Sequence, residues 1–465
     1  MKIAIIGSGI SGLTSAWYLH QDHDITLFEA NDYIGGHTAT VDVAVDSGEY
    51  AIDTGFIVFN DRTYPHFEKL MAEVGIVGQP TEMSFSVRNE DTGLEYNGHT
   101  ISTLFAQKRN LFRPSFYRFL NEILRFNKLA KAAASEGDVS ESQTLGAFLA
   151  QHDFSDYFAV NYILPMGAAI WSSTLSDMRG FPLGFFLRFF LNHGLLDVTN
   201  RPQWAVIPGG SREYIRKMTP AFEQSIALNT PVQQVTRQTN GVTVTSTRGD
   251  EQFDHVIFAC HSDQALALLG DKTQDEIDVL SAMTYQDNEV VLHTDTNLLP
   301  KSRAAWAAWN YHLPKSDDVT ASLSDGHQGI DERSQRLAAL TYNMNILQGI
   351  ESPETFCVTL NQTDRINPDK ILRTFTYAHP VFTTQSIAAQ QQRPRINGLA
   401  NTWFCGAYWY NGFHEDGVRS ALDVVKNINL INESLMSKSH VNDAQGVSSS
   451  HAAAFMPSNN HSGQY

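Results

Sequence analysis

Three glycines near the start of the chain, Gly7, Gly9 and Gly12, have the spacing G-x-G-x-x-G and follow directly on the apolar run Lys2–Ile6. That pattern suits a diphosphate. Gly7 permits a tight turn out of a strand, Gly9 lets the backbone approach a phosphate, and Gly12 lets a helix pack closely on the strand. Ser8, Ile10 and Ser11 complete the loop, whose free N–H groups and helix-dipole end would face the anion. Glu29 stands 20 positions beyond Gly9. There it can accept hydrogen bonds from ribose hydroxyls and would repel a 2′-phosphate. These residues imply dinucleotide binding. The glycines alone do not decide between NAD and FAD.

The elements that must position them can be read from the same stretch. Lys2–Ile6 reads as a buried central parallel strand. Gly12 to His20 reads as a helix that offers Leu13, Ala16, Trp17 and Leu19 for packing, and Asp24–Phe28 as a second strand ending at the acid. Together they form a βαβ unit. Further on, residues 231–260 alternate apolar and polar positions, carry an Asn240-Gly241 hairpin signal, and end in another buried strand.

With 465 residues, two domains are expected. The net charge of −17 argues against a nucleic-acid binder. It also disfavours electrostatic docking to anionic lipid, while apolar docking stays open. Cys260, Cys357 and Cys405 are far apart and offer no disulfide framework. Glycines interrupt the apolar start, which does not read as a signal peptide, and no apolar run reaches the length of a membrane span. The expectation is a cytoplasmic protein, with peripheral contact at the inner face of the membrane as an option. No metal-ligand set, P-loop, H-E-x-x-H or G-x-S-x-G motif is present.

The residues after the second strand carry a resemblance. Glu29 to Gly36 reads E-x-x-x-x-x-G-G. This is similar to the second FAD signature of the flavin-containing amine oxidase superfamily, which includes monoamine oxidases and phytoene desaturases. Arg usually follows that glycine pair; here it is His37, which removes a cationic contact to the phosphate or ribityl region. Asp53 to Phe59, DTGFIVF, resembles a loop that lies along the flavin, where Gly55 permits close approach and Asp53 caps a local turn. Thr402 to Val425 resembles the superfamily's closing segment, a strand, a glycine and a helix whose N-terminus faces the flavin. Relatives place an acid after that glycine; this chain has Ala407.

The resemblance implies FAD as cofactor. Its contacts would be Gly7, Ser8, Gly9, Ile10, Ser11 and Gly12; Glu29 and Ala30; Gly35, Gly36, His37 and Thr38; Thr54, Gly55, Phe56 and Ile57; Val232 near the adenine; and Gly406, Glu415, Asp416 and Val418. It also implies an α/β fold: a Rossmann-like FAD-binding domain of the glutathione-reductase type with a discontinuous α+β substrate domain. The FAD domain is expected from residues 1–75, 204–275 and 396–432, and the substrate domain from 76–203 and 276–395. Residues 437–465, rich in Ser, Asn, His and Ala, read as a disordered tail.

Eight separate stretches, among them TGFIVFNDRTYPHF, AAWAAWNYH and FCGAYWYNGFHEDG, resemble a bacterial subfamily of FAD/NAD-binding, amine-oxidase-like proteins. That subfamily is similar to the flavoprotein-like N-terminal region of plant cyclopropane fatty acid synthases. Its genes often lie beside cyclopropane-synthase-like methyltransferases, which makes such a methyltransferase a candidate partner and a lipid a candidate substrate.

Candidates for chemistry are Tyr408 and His414 in the closing segment and Tyr342 in TYNMNILQ. Tyr or His can orient a polar group or move a proton. The competing reading for each is core packing. The Phe-rich run Gly180 to Leu196 has three readings: core helix, wall of an acyl tunnel formed by Phe185, Phe186, Phe189 and Phe190, or membrane-docking surface. The leading expectation is an FAD-dependent oxidoreductase that removes two hydrogens from a hydrophobic substrate, a fatty acyl chain or phospholipid. Alternatives are a flavin-dependent isomerase of unsaturated acyl chains, an amine oxidase, and a non-catalytic flavoprotein assisting a lipid methyltransferase.

Overall fold

The computed structural model describes residues 1–136, 142–197, 199–315 and 337–450. A five-stranded, all-parallel sheet runs in the order Ile226–Ala227, Asp24–Phe28, Lys2–Ile6, His255–Phe258, Thr402–Phe404. Lys2–Ile6 is central, and Ile3, Ala4 and Ile5 are fully buried, as a parallel strand covered on both faces must be. This is the Rossmann-like α/β arrangement. Its strands come from the start, middle and end of the chain.

The first helix spans Ile10–Leu19, starting two residues before the expected Gly12. Gly9 is extended, with φ −65° and ψ 178°, and acts as N-cap, so Ile10 and Ser11 enter the first turn. Leu13, Ala16 and Leu19 pack between the parallel sheet and the helix that begins at His414, against Ala421, Val424 and Ile428. That last helix runs from His414 to Ser450. Residues 437–450 are therefore helical, which corrects the disordered-tail expectation for that part. Propagating an established helix costs little even where the sequence lacks an apolar stripe. The rest of the expected tail, 451–465, lies outside the described residues.

Over the parallel sheet stands a seven-stranded mixed sheet, ordered Ile371–Val381, Thr284–His293, Cys357–Leu360, Leu340–Asn343, Trp309–Leu313, Phe85–Asn89, Leu94–Asn97. All its pairings are antiparallel except Trp309–Leu313 with Phe85–Asn89. Helices packed on this sheet include Pro114–Glu136 and Leu183–Asn192. An antiparallel meander, Val232–Gln238, Gly241–Ser246 and Gly249–Phe253, adjoins the parallel sheet. Among the described residues, no helix is long and apolar enough to cross a membrane.

The Phe-rich run forms the helix Leu183–Asn192, and its aromatic rings point into the core. Phe186 and Phe190 are fully buried, and Phe185 and Phe189 are 6% and 5% exposed. Phe186 stacks on Phe190 at 4.0 Å and Phe185 on Phe382 at 5.1 Å. This rules out the membrane-docking reading of these four side chains and makes Phe185, Phe186 and Phe190 packing residues.

Gly12 is where the first helix meets the first strand. A Cβ built there would lie 1.9 Å from the Gly7 carbonyl oxygen. Gly12→Ala is therefore expected to lose about 1–3 kcal/mol of stability and to misplace the phosphate loop. Denaturant unfolding together with measurement of bound dinucleotide checks this.

Candidate functional site

A cavity of about 1210 Å³ begins at the carboxyl ends of the parallel strands and extends beneath the mixed sheet. Its first arm is walled by Gly7, Ser8, Gly9, Ile10 and Ser11, then by Glu29, Ala30, Gly35, Gly36 and His37, and by Gly55, Phe56, Ile57, Val232 and Gly406. No side chain caps the first turn of the Ile10–Leu19 helix, and a Cβ at Gly9 would meet nothing within 4 Å. The loop therefore leaves open space in front of free backbone N–H groups, the arrangement a diphosphate needs.

Ser8 locks this arm together. Its N–H and hydroxyl both donate to Glu29 Oε2, at 3.0 and 2.6 Å, and its Oγ accepts from Gly35 N–H at 3.2 Å. Glu29 Oε1 accepts from the N–H and side-chain amide of Asn31 at 2.9 and 3.0 Å. The carboxylate is thus held at the cavity edge, 7% exposed, where ribose hydroxyls can exchange with the protein donors. Gly36, at φ +57°, lies against Gly9, with a Cβ there only 3.3 Å from the Gly9 Cα. This brings the second glycine pair beside the first glycine motif.

Six residues expected to touch the cofactor stand behind the wall. Gly12 is packed on Gly7. Thr38 Oγ1 lies 2.6 Å from the Tyr214 hydroxyl, and Thr54 Oγ1 lies 3.0 Å from that of Tyr377. Val418 is fully buried in the core. Glu415 accepts from the N–H of Phe67 at 2.8 Å and of His66 at 3.1 Å, capping the Pro65–Glu73 helix. Asp416 accepts from the Phe413 N–H at 2.9 Å, and burial raises its pKa to about 7. Acids at a helix start serve the orphan N–H groups first, and that is what both do. Asp53 is likewise a cap. It accepts from Ser211 N–H and Oγ, both at 2.9 Å, and from Thr40 Oγ1 at 2.6 Å. Burial raises it to about 6. The turn it caps is at Ser211, far away in sequence, rather than a local one.

The catalytic candidates separate. Tyr408 lines the cavity, and its buried hydroxyl has no hydrogen-bond partner among the described residues. Tyr342 lines the second arm edge-on to Trp309 at 5.1 Å. Burial raises both phenols, so both stay neutral. His414 also reaches the cavity, but its ring stacks on Phe56 at 3.6 Å and its Nε2 is engaged, 3.0 Å from Thr38 Oγ1 and 3.2 Å from the Tyr214 hydroxyl. Burial, with repulsion from His37, lowers it to about 3. His414 thus sits on the cavity wall as a neutral imidazole whose ring and Nε2 are both engaged by protein groups.

The second arm was not visible in the sequence. It is a gallery walled by Leu104, Leu120, Ile123, Leu124, Tyr162, Met166, Ile170 and Leu195, with Trp309, Tyr342, Phe382 and Phe413 nearer the first arm. Of the four phenylalanines expected to form an acyl tunnel, Phe185, Phe186, Phe189 and Phe190, only Phe189 touches it. Asn127, Asp197 and Arg201 supply polar groups. The side chains come from distant helices, so no local spacing marks them.

Also missed were His261 and His379, which gather on His37 with ring centroids 5.8 and 5.7 Å away. Burial, then the two neighbouring imidazoles, lowers His37 to about 3, and burial lowers His379 to about 4.

A parallel sheet, a glycine loop at a helix start and a ribose-binding acid define a dinucleotide-binding flavoprotein fold. The comparisons carry the assignment further. Residues 10–429 match the flavin containing amine oxidoreductase family, and the chain belongs to that family. FAD is its cofactor. The flavin-containing monoamine oxidase AofH of Mycobacterium tuberculosis is 26% identical over 267 residues, 56% of each chain, so the match spans just over half of that relative. Two solved structures are similar in fold. The CLA-producing fatty acid isomerase from P. acnes has a TM-score of 0.64 at 16% identity, over 91% of this chain and 98% of that one. Cyclohexylamine oxidase from Brevibacterium oxydans has 0.63 at 15% identity, over 93% and 99%.

Two outcomes follow for the first arm. Glu29→Ala is expected to weaken FAD at least tenfold, about 1.4 kcal/mol, in titrations of the stripped protein. Arg201 is the only Lys or Arg on the described cavity wall, and it lies in the gallery. The groups able to become cationic beside the diphosphate are thus imidazoles. An anion raises their pKa, so bound protein holds more protons than free protein and FAD affinity falls as pH rises. His37→Arg is expected to weaken that dependence, with His261 and His379 retaining the remainder, measured as Kd against pH.

Proposed function

We propose that this protein is an FAD-dependent oxidoreductase that removes two hydrogens from a long apolar chain, a fatty acyl group as free acid or phospholipid. One observation carries the reading: a single cavity joins the FAD arm to a gallery lined by aliphatic and aromatic side chains. An acyl chain desolvates such a wall without leaving a buried polar group unpaired. Arg201, with Asp197 and Asn127, offers a polar anchorage for a headgroup in the gallery. FAD, when bound, supplies the two-electron acceptor. The chain's own part is to hold the acyl group and keep water out, with Trp309, Tyr342, Phe189, Phe382 and Phe413 closing around the junction of the arms. Tyr408 offers a neutral hydroxyl, free to donate, on the same wall.

A second reading uses the same gallery. In an acyl isomerase the hydride returns to the substrate and no net oxidation occurs. The fold likeness to a fatty acid isomerase favours considering it. The family and its amine-oxidising members support an amine as the rival substrate class.

Anaerobic mixing with unsaturated fatty acids, phospholipid or a panel of primary amines, followed through the flavin absorbance, tests these readings. The expected result is bleaching by the acyl compounds and a product two hydrogens lighter. An unchanged product mass with a moved double bond would favour isomerisation, and bleaching by amines alone would overturn the acyl reading. Ile170→Trp, which fills the gallery, is expected to keep FAD bound and slow bleaching by acyl chains at least tenfold.

A further inference from the structure

The chain as a whole is strongly acidic, yet the stretch from Ile101 to Lys131 carries seven Lys and Arg against one acid, Glu122. The structure shows that the same stretch exposes its large apolar residues. Ile101 is 79% exposed, Phe112 86%, Tyr117 49% and Leu111 44%. Lys108, Arg109, Arg113 and Arg118 are exposed beside them. The pieces are contiguous: Tyr117 donates its hydroxyl to the Leu111 carbonyl at 3.0 Å, and its ring lies 6.1 Å from Phe105.

This surface adjoins the gallery. On the Pro114–Glu136 helix, Tyr117, Leu120 and Leu124 fall at i, i+3 and i+7, one face of the helix. Leu120 and Leu124 are gallery wall, and Leu124 is also 56% exposed. A residue that is at once cavity lining and solvent-exposed marks an opening. Leu104, from the Ile101–Leu104 turn, lines the gallery as well.

We propose that residues 101–124 form a docking surface for an anionic lipid membrane and set the gallery mouth against the lipid. Exposed aromatic and aliphatic side chains ringed by Lys and Arg are what inserts at the headgroup boundary, and the local positive charge is complementary to anionic lipid although the net charge is not. The acidic remainder of the surface is repelled by the same lipid and orients the approach. The docking proposal stands on exposure and charge, and it gains its use from the acyl reading above.

The full-length, FAD-loaded protein tests it by co-flotation with vesicles. Binding is expected to vesicles containing phosphatidylglycerol, to be at least tenfold weaker to phosphatidylcholine alone, and to weaken with salt. Phe112→Ser and the charge reversal of Lys108, Arg109 and Arg113 to Glu are expected to lose at least tenfold in binding. All three positions in the reversal are exposed, so flavin content and bleaching by detergent-dispersed fatty acid should be retained. Vesicle binding that persists in both variants overturns the proposal, as does the absence of binding to anionic vesicles. A salt-insensitive dimer in solution that Phe112→Ser dissociates would overturn it too, since the face would then be covered by a second copy. Vesicle binding without bleaching by any acyl compound would leave the docking surface standing and remove the acyl substrate alone.

Discussion

The contact between Gly12 and the Gly7 carbonyl fixes the site. With no side chain at either position, the first helix approaches the first strand until a single methyl group would collide. That approach aims the helix N-terminus and its free N–H groups across the end of the sheet. Everything in the first arm is then referred to this point. Ser8 reaches Glu29 and is itself reached by Gly35, and Gly36 seats on Gly9. The two glycine motifs, separate in sequence, become one surface because neither has a Cβ to hold the other away. From the opposite side Ser11 Oγ donates to the Gly417 carbonyl at 3.0 Å, which ties the closing helix to the same loop.

The extent to which this was legible follows from how local each signal is. The βαβ unit is written in consecutive residues, so its strands, its acid and its family resemblance could all be read, with an error of two residues at the helix start where Gly9 caps. The wall residues Glu29, Gly36, Gly55 and Gly406 were found because each follows a strand or loop with a recognisable pattern. The side-chain directions of Thr38, Thr54, Glu415 and Asp416 were not legible in the same way. Whether a side chain faces a cavity or a neighbouring helix end is settled by tertiary neighbours. Orphan N–H groups at Phe67 and Phe413 claimed the two acids. The Phe-rich helix shows the same limit, since a dense apolar run reads alike whether it packs against protein or lines a hole.

Charge is unevenly spread, and the unevenness has a physical sense. The first arm is populated by imidazoles rather than ammonium or guanidinium groups. Buried imidazoles can stay neutral without an anion nearby, whereas a buried guanidinium would need a permanent partner. His37, His261 and His379 therefore keep the empty arm free of uncompensated charge while remaining protonatable. Asp263 and Asp287 partly offset the burial penalty at His261, and Tyr285 stacks on it at 4.2 Å. At the other end of the cavity the Ile101–Lys131 stretch reverses the chain's overall balance, with seven Lys and Arg against one acid.

Between those two ends, the buried Phe helix acts as a stiff partition. Trp171 packs against Phe181 at 4.5 Å and Phe189 at 4.9 Å, and Phe126 packs against Phe148, Phe154 and Phe158. Rings interlocked in this way resist collapse, because closing the gallery would require many tilted contacts to break together. A helix such as Pro114–Glu136 can then keep Leu120 and Leu124 turned to an open space on one flank while Phe119 and Phe126 are fully buried on the other. Phe181, Phe185, Phe186 and Phe190 stand behind the cavity wall while Trp171, Phe189 and Phe382 reach it, and this interlocked packing is the reason an apolar gallery of this length can remain open beside the FAD arm.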